Sequence, residues 1–186
     1  MQTLVVYESL YGNTHAIANA IAAGLRPHGE VRVVRVGEAT ADLVAWADLV
    51  VAGGPTHVHG MSRAKSREDG LARAAKPGST LALDPAASGA GLREWLDAIG
   101  SVRGTSAAAF DTRVAGPALV TGRASGAIAR GLRKRGFGLV AGPESFLVDA
   151  HTELVAGEAE RATEWGDRLA ALALALDKTP SVAGRT

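Results

Sequence analysis

Apolar residues arrive along the chain in short blocks divided by turn-forming residues, and the spacing within each block predicts an element. Leu4 to Tyr7 is a continuous apolar run, as expected of a strand covered on both faces. Beyond the turn S-L-Y-G-N-T (9–14), the pairs Ala16/Ile17, Ala20/Ile21 and Gly24/Leu25 recur every four residues, which predicts an amphipathic helix that Arg26-Pro27-His28-Gly29 stops. Val31 to Val36 is apolar but broken by two arginines, the pattern of an edge strand. Thr40 is placed to cap a short helix carrying Leu43, Val44, Trp46 and Ala47, and Leu49 to Ala52 is the next buried strand.

Residues 53–92 lack a clean period, and their Gly, Ala, Ser, Pro and Arg content predicts a long functional loop with one short helix near Glu68 to Ala75. Periodicity returns with Leu92, Trp95, Leu96 and Ile99 on one helical face, a small-residue strand at Ala107 to Phe110, and a helix over 125–135 with Ile128 and Leu132 inward. A last strand, 139–148, is interrupted by Gly142-Pro143, and a final helix over 158–176 is built on Ala162, Trp165, Leu169 and Leu172. Strands alternating with helices in this way predict a parallel α/β sandwich, one domain over 1–176, with a disordered tail at 177–186.

Composition narrows the chemistry. The 186 residues include no Cys, which excludes disulfides, thiolate metal sites and Cys nucleophiles, so redox chemistry would require a bound cofactor. A formal net charge of +1 gives no overall field for nucleic acid, and the basic run 130–136 reads as a solvated helix end. No run of eighteen apolar residues and no basic leader occurs, which predicts a cytoplasmic protein without a membrane span.

The turn at 9–14 carries the most specific signal. A helix N-terminus leaves backbone N–H groups unpaired at the positive end of the dipole, so a turn feeding it suits an anion. Ser9 and Thr14 add hydroxyls, Asn13 an amide, and Gly12 permits close backbone approach. The turn has no Lys or Arg, and neither G-K-[ST] nor G-x-G-x-x-G is present, so one phosphate monoester held by neutral donors fits better than a triphosphate or a dinucleotide. In the simpler reading, Ser9 and Thr14 merely cap the helix.

The longer stretch V-V-Y-E-S-L-Y-G-N-T-H-A-I-A-N-A-I (5–21) resembles the flavodoxin signature, in which this turn grips the phosphate of FMN. The resemblance implies a three-layer flavodoxin-like sandwich: a five-stranded parallel sheet of order 2-1-3-4-5 with helices on both faces. Ligands of such sheets sit at the carboxyl ends of the strands beside the switch point. Ser9, Leu10, Tyr11, Gly12, Asn13 and Thr14 would then hold the phosphate end. Pro55, Thr56, His57, Val58, His59 and Gly60, in G-G-P-T-H-V-H-G, would flank the flavin ring, and Asp111, Thr112 and Arg113 would meet its pyrimidine edge. His57 and His59 alone are too few for a metal site.

Two departures qualify the resemblance. Carrier flavodoxins usually stack Tyr or Trp on the flavin, whereas neither loop here holds either residue, and Trp46, Trp95 and Trp165 lie on predicted helix faces. Carriers are also strongly acidic. Near-neutral surroundings with Arg113, His57 and His59 close to the ring would favour a negatively charged reduced flavin, and with it two-electron chemistry. The resemblance therefore implies an FMN-binding redox protein exchanging electrons with a redox partner protein. One alternative is an FMN-dependent NAD(P)H:quinone oxidoreductase, suggested by G-G-P-T at 53–56, and another is an interaction module that has lost FMN. The apolar stretch 169–176 is expected to cover the sheet, with a homo-oligomer seam as its other reading.

Overall fold

The computed structural model describes residues 1–57, 59–85 and 87–177. The first unit is β1 (Gln2–Tyr7), α1 (Asn13–Leu25) and β2 (Glu30–Arg35), with a single 3₁₀ turn at Arg26–His28 where the proline ends the helix. α2 (Ala41–Trp46) starts on Thr40, whose hydroxyl accepts the Leu43 N–H at 3.3 Å, and β3 (Leu49–His57) follows. The chain continues through β4 (Gly60–Met61), α3 (Ala64–Ala74), α4 (Leu92–Ala98), β5 (Ser106–Val114), α5 (Ala118–Thr121) and α6 (Ala124–Lys134), and ends with β6 (Gly138–Leu139), β7 (Glu144–Val148) and α7 (Glu158–Asp177).

The main sheet runs β2-β1-β3-β5, and β6 and β7 both pair with β5, all in parallel. The expected order 2-1-3-4-5 is therefore present, with the fifth position split. β6 meets the start of β5 at Ser106 and Ala107, and β7 meets its end at Phe110 to Val114. Gly142-Pro143 lies at the break, where a proline cannot donate to a ladder. β4 turns back antiparallel on the end of β3, making a seventh strand.

Alternating side chains of each strand feed two cores. Leu4, Val6, Val50, Ala52, Ala107 and Ala109 pack with Val44, Trp95, Leu96, Ile128 and Leu132 on one face. Val5, Val51, Ala108, Phe110 and Phe146 pack with Ile17, Ile21, Trp165 and Leu169 on the other. On that second face α1 and α7 cross through glycines. A Cβ on Gly24 would lie 2.0 Å from the Thr163 carbonyl oxygen, and one on Gly166 would lie 2.2 Å from that of Ile21.

Several expectations need correcting. Residues 53–92 are not one long loop: β3 runs on to His57, β4 follows, and α3 begins at Ala64 rather than near Glu68, while the described residues of 75–91 hold no helix or strand. β5 extends past Phe110 to Val114 because β7 supplies a ladder for it. Leu172 is 44 % exposed and Ala173 takes the inward place, four residues after Leu169, so the apolar stretch 169–176 divides between core and surface. Ala16 likewise points outward, and Ile17, Ala18, Ile21 and Ala22 form the buried stripe. Trp95 and Trp165 are core residues as expected. Trp46 is half-buried beneath the Arg32 guanidinium, 4.0 Å from its ring centroid. Beyond Asp177, the tail lies outside the described residues.

Candidate functional site

The turn between β1 and α1 is shaped from within. Gly12 takes φ 88°, a left-handed conformation that glycine adopts without strain, and its N–H donates to Ser9 Oγ at 3.1 Å. Gly12 is also the N-cap of α1. It offers no capping side chain, and no acidic residue stands in the first helical turn. Beyond the Ser9 Oγ that takes the Gly12 N–H, the donors at the positive end of α1 have no side-chain cap from the N-cap residue, and the carboxylate beside the first turn, Asp84, is paired with His15 at 3.1 Å.

Thr14, buried in the first turn of α1, shares a 2.7 Å hydrogen bond with Thr112 Oγ1 from the end of β5. Two hydroxyl protons serve this pair and their mutual bond uses one, which leaves the other for a third acceptor. Asn13 Nδ2 donates to the Thr152 carbonyl at 2.7 Å, which ties the turn to the loop after β7. Tyr11 Oη donates to the Gly70 carbonyl at 2.9 Å. A Cβ on Gly70 would lie 2.3 Å from Leu10 Cδ2, so glycine is what lets α3 approach the turn this closely.

Three loops converge on one cleft of about 180 Å³ at the carboxyl ends of the strands. Leu10, Tyr11, Asn13 and Thr14 line it from the turn, Pro55, Thr56 and His57 from the end of β3, and Thr112 and Arg113 from β5. Ser9 and Gly12 are not in its wall. His59 and Gly60 line a neighbouring cavity that shares His57 with the cleft. Val58 lies outside the described residues.

Asp111 is turned away from the cleft. It is fully buried, and its Oδ2 accepts the Ser125 N–H at 2.6 Å at the start of α6, while its Oδ1 has no partner among the described residues. Thr56 Oγ1 serves the same helix end by accepting the Ala124 N–H at 3.0 Å. The Arg113 guanidinium clamps its own loop, donating from Nη1 to the Gly116 carbonyl at 2.8 Å and to Thr121 Oγ1 at 2.9 Å. Its Nε–H is buried without an acceptor among the described residues.

Other residues of the site carried no sequence signal. Arg73, from the last turn of α3, lines the cleft and brings a cation to a turn that has none of its own, while Val148 and Thr152 close the far side. Burial raises the pKa of the Tyr11 phenol, and the charge of Arg73 opposes that rise, which places Arg73 in electrostatic reach of the turn. Burial lowers the pKa of His57; Arg67 adds to this, while Glu8 and a backbone contact at Ser66 oppose it, so the imidazole is neutral at pH 7. Tyr7 is unavailable as a stacking ring because it already stacks on His15, with centroids 4.5 Å apart.

Behind the turn, Glu8 anchors the segment that had no readable pattern. Its carboxylate accepts the Leu92 N–H at 2.9 Å and a short hydrogen bond from Ser62 Oγ. Arg67 donates to Ser62 Oγ at 3.0 Å and pairs with Glu94 at 3.2 Å. On the surface of α3 the i,i+4 pair Lys65–Asp69 closes at 2.9 Å.

The comparison with known proteins bears on the same segment that carries the turn. Residues 4–67 match the family model of the flavodoxin domain. Over that segment the chain is similar to the flavodoxin domain. A flavodoxin of Aquifex aeolicus (strain VF5) is 41 % identical to it over 59 residues, which cover 31 % of this chain and 32 % of that protein. The match thus spans about a third of that curated relative's length. The fold likeness runs much further. A flavodoxin from the domain Archaea superposes with TM-score 0.63 at 19 % identity, covering 94 % of this chain and 99 % of that one. Oxidised flavodoxin 1 of Bacillus cereus gives 0.62 at 19 % identity, with 91 % and 97 % coverage. The rubredoxin oxygen:oxidoreductase of Desulfovibrio gigas gives 0.60 at 14 % identity, with 96 % of this chain lying on 37 % of that larger one. No helix among the described residues is long and apolar enough to cross a membrane.

Proposed function

We propose that this flavodoxin-like chain binds FMN without a covalent bond and exchanges electrons with a partner through it. The observation that carries the reading is the start of α1, with no N-cap side chain and no acidic residue in its own first turn, in the same cleft wall as a hydroxyl pair with one proton to spare. That donor set suits a phosphate monoester. The backbone of the turn and Thr14 would hold the phosphate, with Arg73 as its counter-charge. Pro55, Thr56, His57, Val58, His59 and Gly60 would flank the ring on one side and Thr112, Arg113 and Val148 on the other. The buried Nε–H of Arg113 would find its acceptor on the pyrimidine edge, and Asp111 would act by fixing the start of α6.

Bound FMN supplies the redox chemistry, and the chain supplies position and field. A neutral His57 presents a flat, uncharged wall, while Arg73 and Arg113 favour negative charge in the cleft. Aromatic stacking is replaced by packing between a proline, an imidazole and aliphatic side chains.

The test is titration of the purified protein with FMN and with riboflavin, followed by flavin fluorescence and visible absorption, beside Thr14→Ala. Saturable binding of FMN, much stronger than that of riboflavin and weakened in the variant, is expected. Equal affinity for the two flavins would overturn the assignment of the turn, and no binding of either would leave an interaction module as the better account.

A further inference from the structure

The cleft has a neighbour whose basic residues the flavin reading does not use. Between the β3–β4 hairpin and the first half of α3 lies a cavity of about 560 Å³, within the range of small-molecule sites. Arg63, Lys65 and Arg93 line it, together with His57, His59 and Met61. Its one acidic residue, Asp69, is already engaged with Lys65.

The two guanidiniums are differently placed but equally free of carboxylates among the described residues. Arg93 is held over the cavity by long bonds, 3.4 Å each, from Nε to the Ser62 carbonyl and from Nη2 to that of Met61. These fix its plane without neutralising it. Arg63 stands at the start of α3, where its backbone is hydrogen-bonded to Ser66 and Arg67 and its side chain has no hydrogen bond among the described residues. Two guanidiniums without a carboxylate partner line one cavity, and each carries the forked N–H donors that suit phosphate oxygens.

The hairpin wall is braced. His59 takes φ 68° and bridges Gly122, where a Cβ would lie 2.1 Å from His59 Cα. His57 belongs to both the cavity and the cleft, so an occupant of one stands beside an occupant of the other.

We infer that this cavity binds a phosphate-bearing nucleotide, the chemical class of the diffusible two-electron donors, with Arg63 and Arg93 on its phosphates. The purpose of the site, delivering reducing equivalents beside the cleft, rests on the flavin reading. The binding itself does not.

The test is calorimetric titration of the full chain with adenosine 2′,5′-bisphosphate, with and without added FMN, against inorganic phosphate and adenosine as controls. The bisphosphate is expected to bind at one site per chain, at least tenfold tighter than either control. Arg63→Gln and Arg93→Gln should each weaken it about tenfold, one charge-assisted contact's share, with the circular dichroism spectrum and FMN affinity unchanged. No saturable binding by the parent would overturn the site. So would unchanged affinity in the double variant, or a bisphosphate no tighter than inorganic phosphate. Failure of FMN to bind while the bisphosphate does would sink the flavin reading and leave the nucleotide site standing.

Discussion

Replacing the Thr14–Thr112 hydroxyl pair tests the site and the fold together. The two side chains belong to residues 2 % and 5 % exposed, and their oxygens are 2.7 Å apart. Valine keeps the shape and removes the hydroxyl. Thr14→Val leaves the Thr112 hydroxyl buried without its partner, and Thr112→Val does the converse, each costing about 1–3 kcal/mol. Removing both withdraws the pair without stranding either member. The double variant should therefore be less destabilised than the two singles summed, by a coupling of about 0.5–3 kcal/mol. In a chain of this length each kcal/mol moves Tm by about 2–4 °C, so urea and thermal unfolding of all four proteins resolve the cycle. Flavin titration then separates the roles. Thr14→Val should lower FMN affinity about tenfold, the value of one hydrogen bond to a charged group, and leave riboflavin affinity unchanged. Strict additivity of the two stability losses would refute the buried pair, and an equal loss for riboflavin would refute the phosphate role.

Arg73→Gln should weaken FMN binding several-fold and flatten its dependence on ionic strength, with riboflavin unaffected; an unaltered salt dependence counts against the counter-charge. Gly24→Ala should destabilise by about 2 kcal/mol in urea, because a Cβ 2.0 Å from the Thr163 carbonyl overpacks the helix crossing by more than the ~1 kcal/mol of helix propensity it gains. His57, whose folded pKa burial lowers, makes stability fall on acidification. Below about pH 6.5 the unfolded chain takes up the proton first, and the loss levels off once pH passes the folded value. His57→Asn should reduce that loss between pH 7 and 5, and an identical pH profile for parent and variant would contradict it.

What was legible in the sequence is what local pattern governs. The run Leu4–Tyr7, the turn and the four-residue recurrence of α1 announce themselves because one strand is buried on both faces and one helix on a single face. The two arginines of 31–36 marked the sheet edge for the same reason. The segment 61–91 was illegible because its order comes from distant partners. Glu8 holds Ser62 and the Leu92 amide, Arg67 reaches Glu94, and Asp84 N–H meets the Leu10 carbonyl at 2.8 Å. Arg73 was hidden with it, since only the approach allowed by Gly70 brings that helix to the turn. Asp111 meets the start of α6 because alternation along β5 puts it on the face of Ala107 and Ala109, one residue out of step with Phe110 and Thr112.

The glycine crossing of α1 and α7 joins the first helix of the chain to the last. During synthesis the turn and α1 emerge from the ribosome early, yet the face of α1 that Gly24 opens stays wet until α7 has been made. Another of its ties, Asn13 to Thr152, also waits for nearly the whole chain. The segment with the strongest signature is thus among the last to become rigid, and a nascent chain stalled before residue 158 should be protease-sensitive at the turn and unable to retain a flavin.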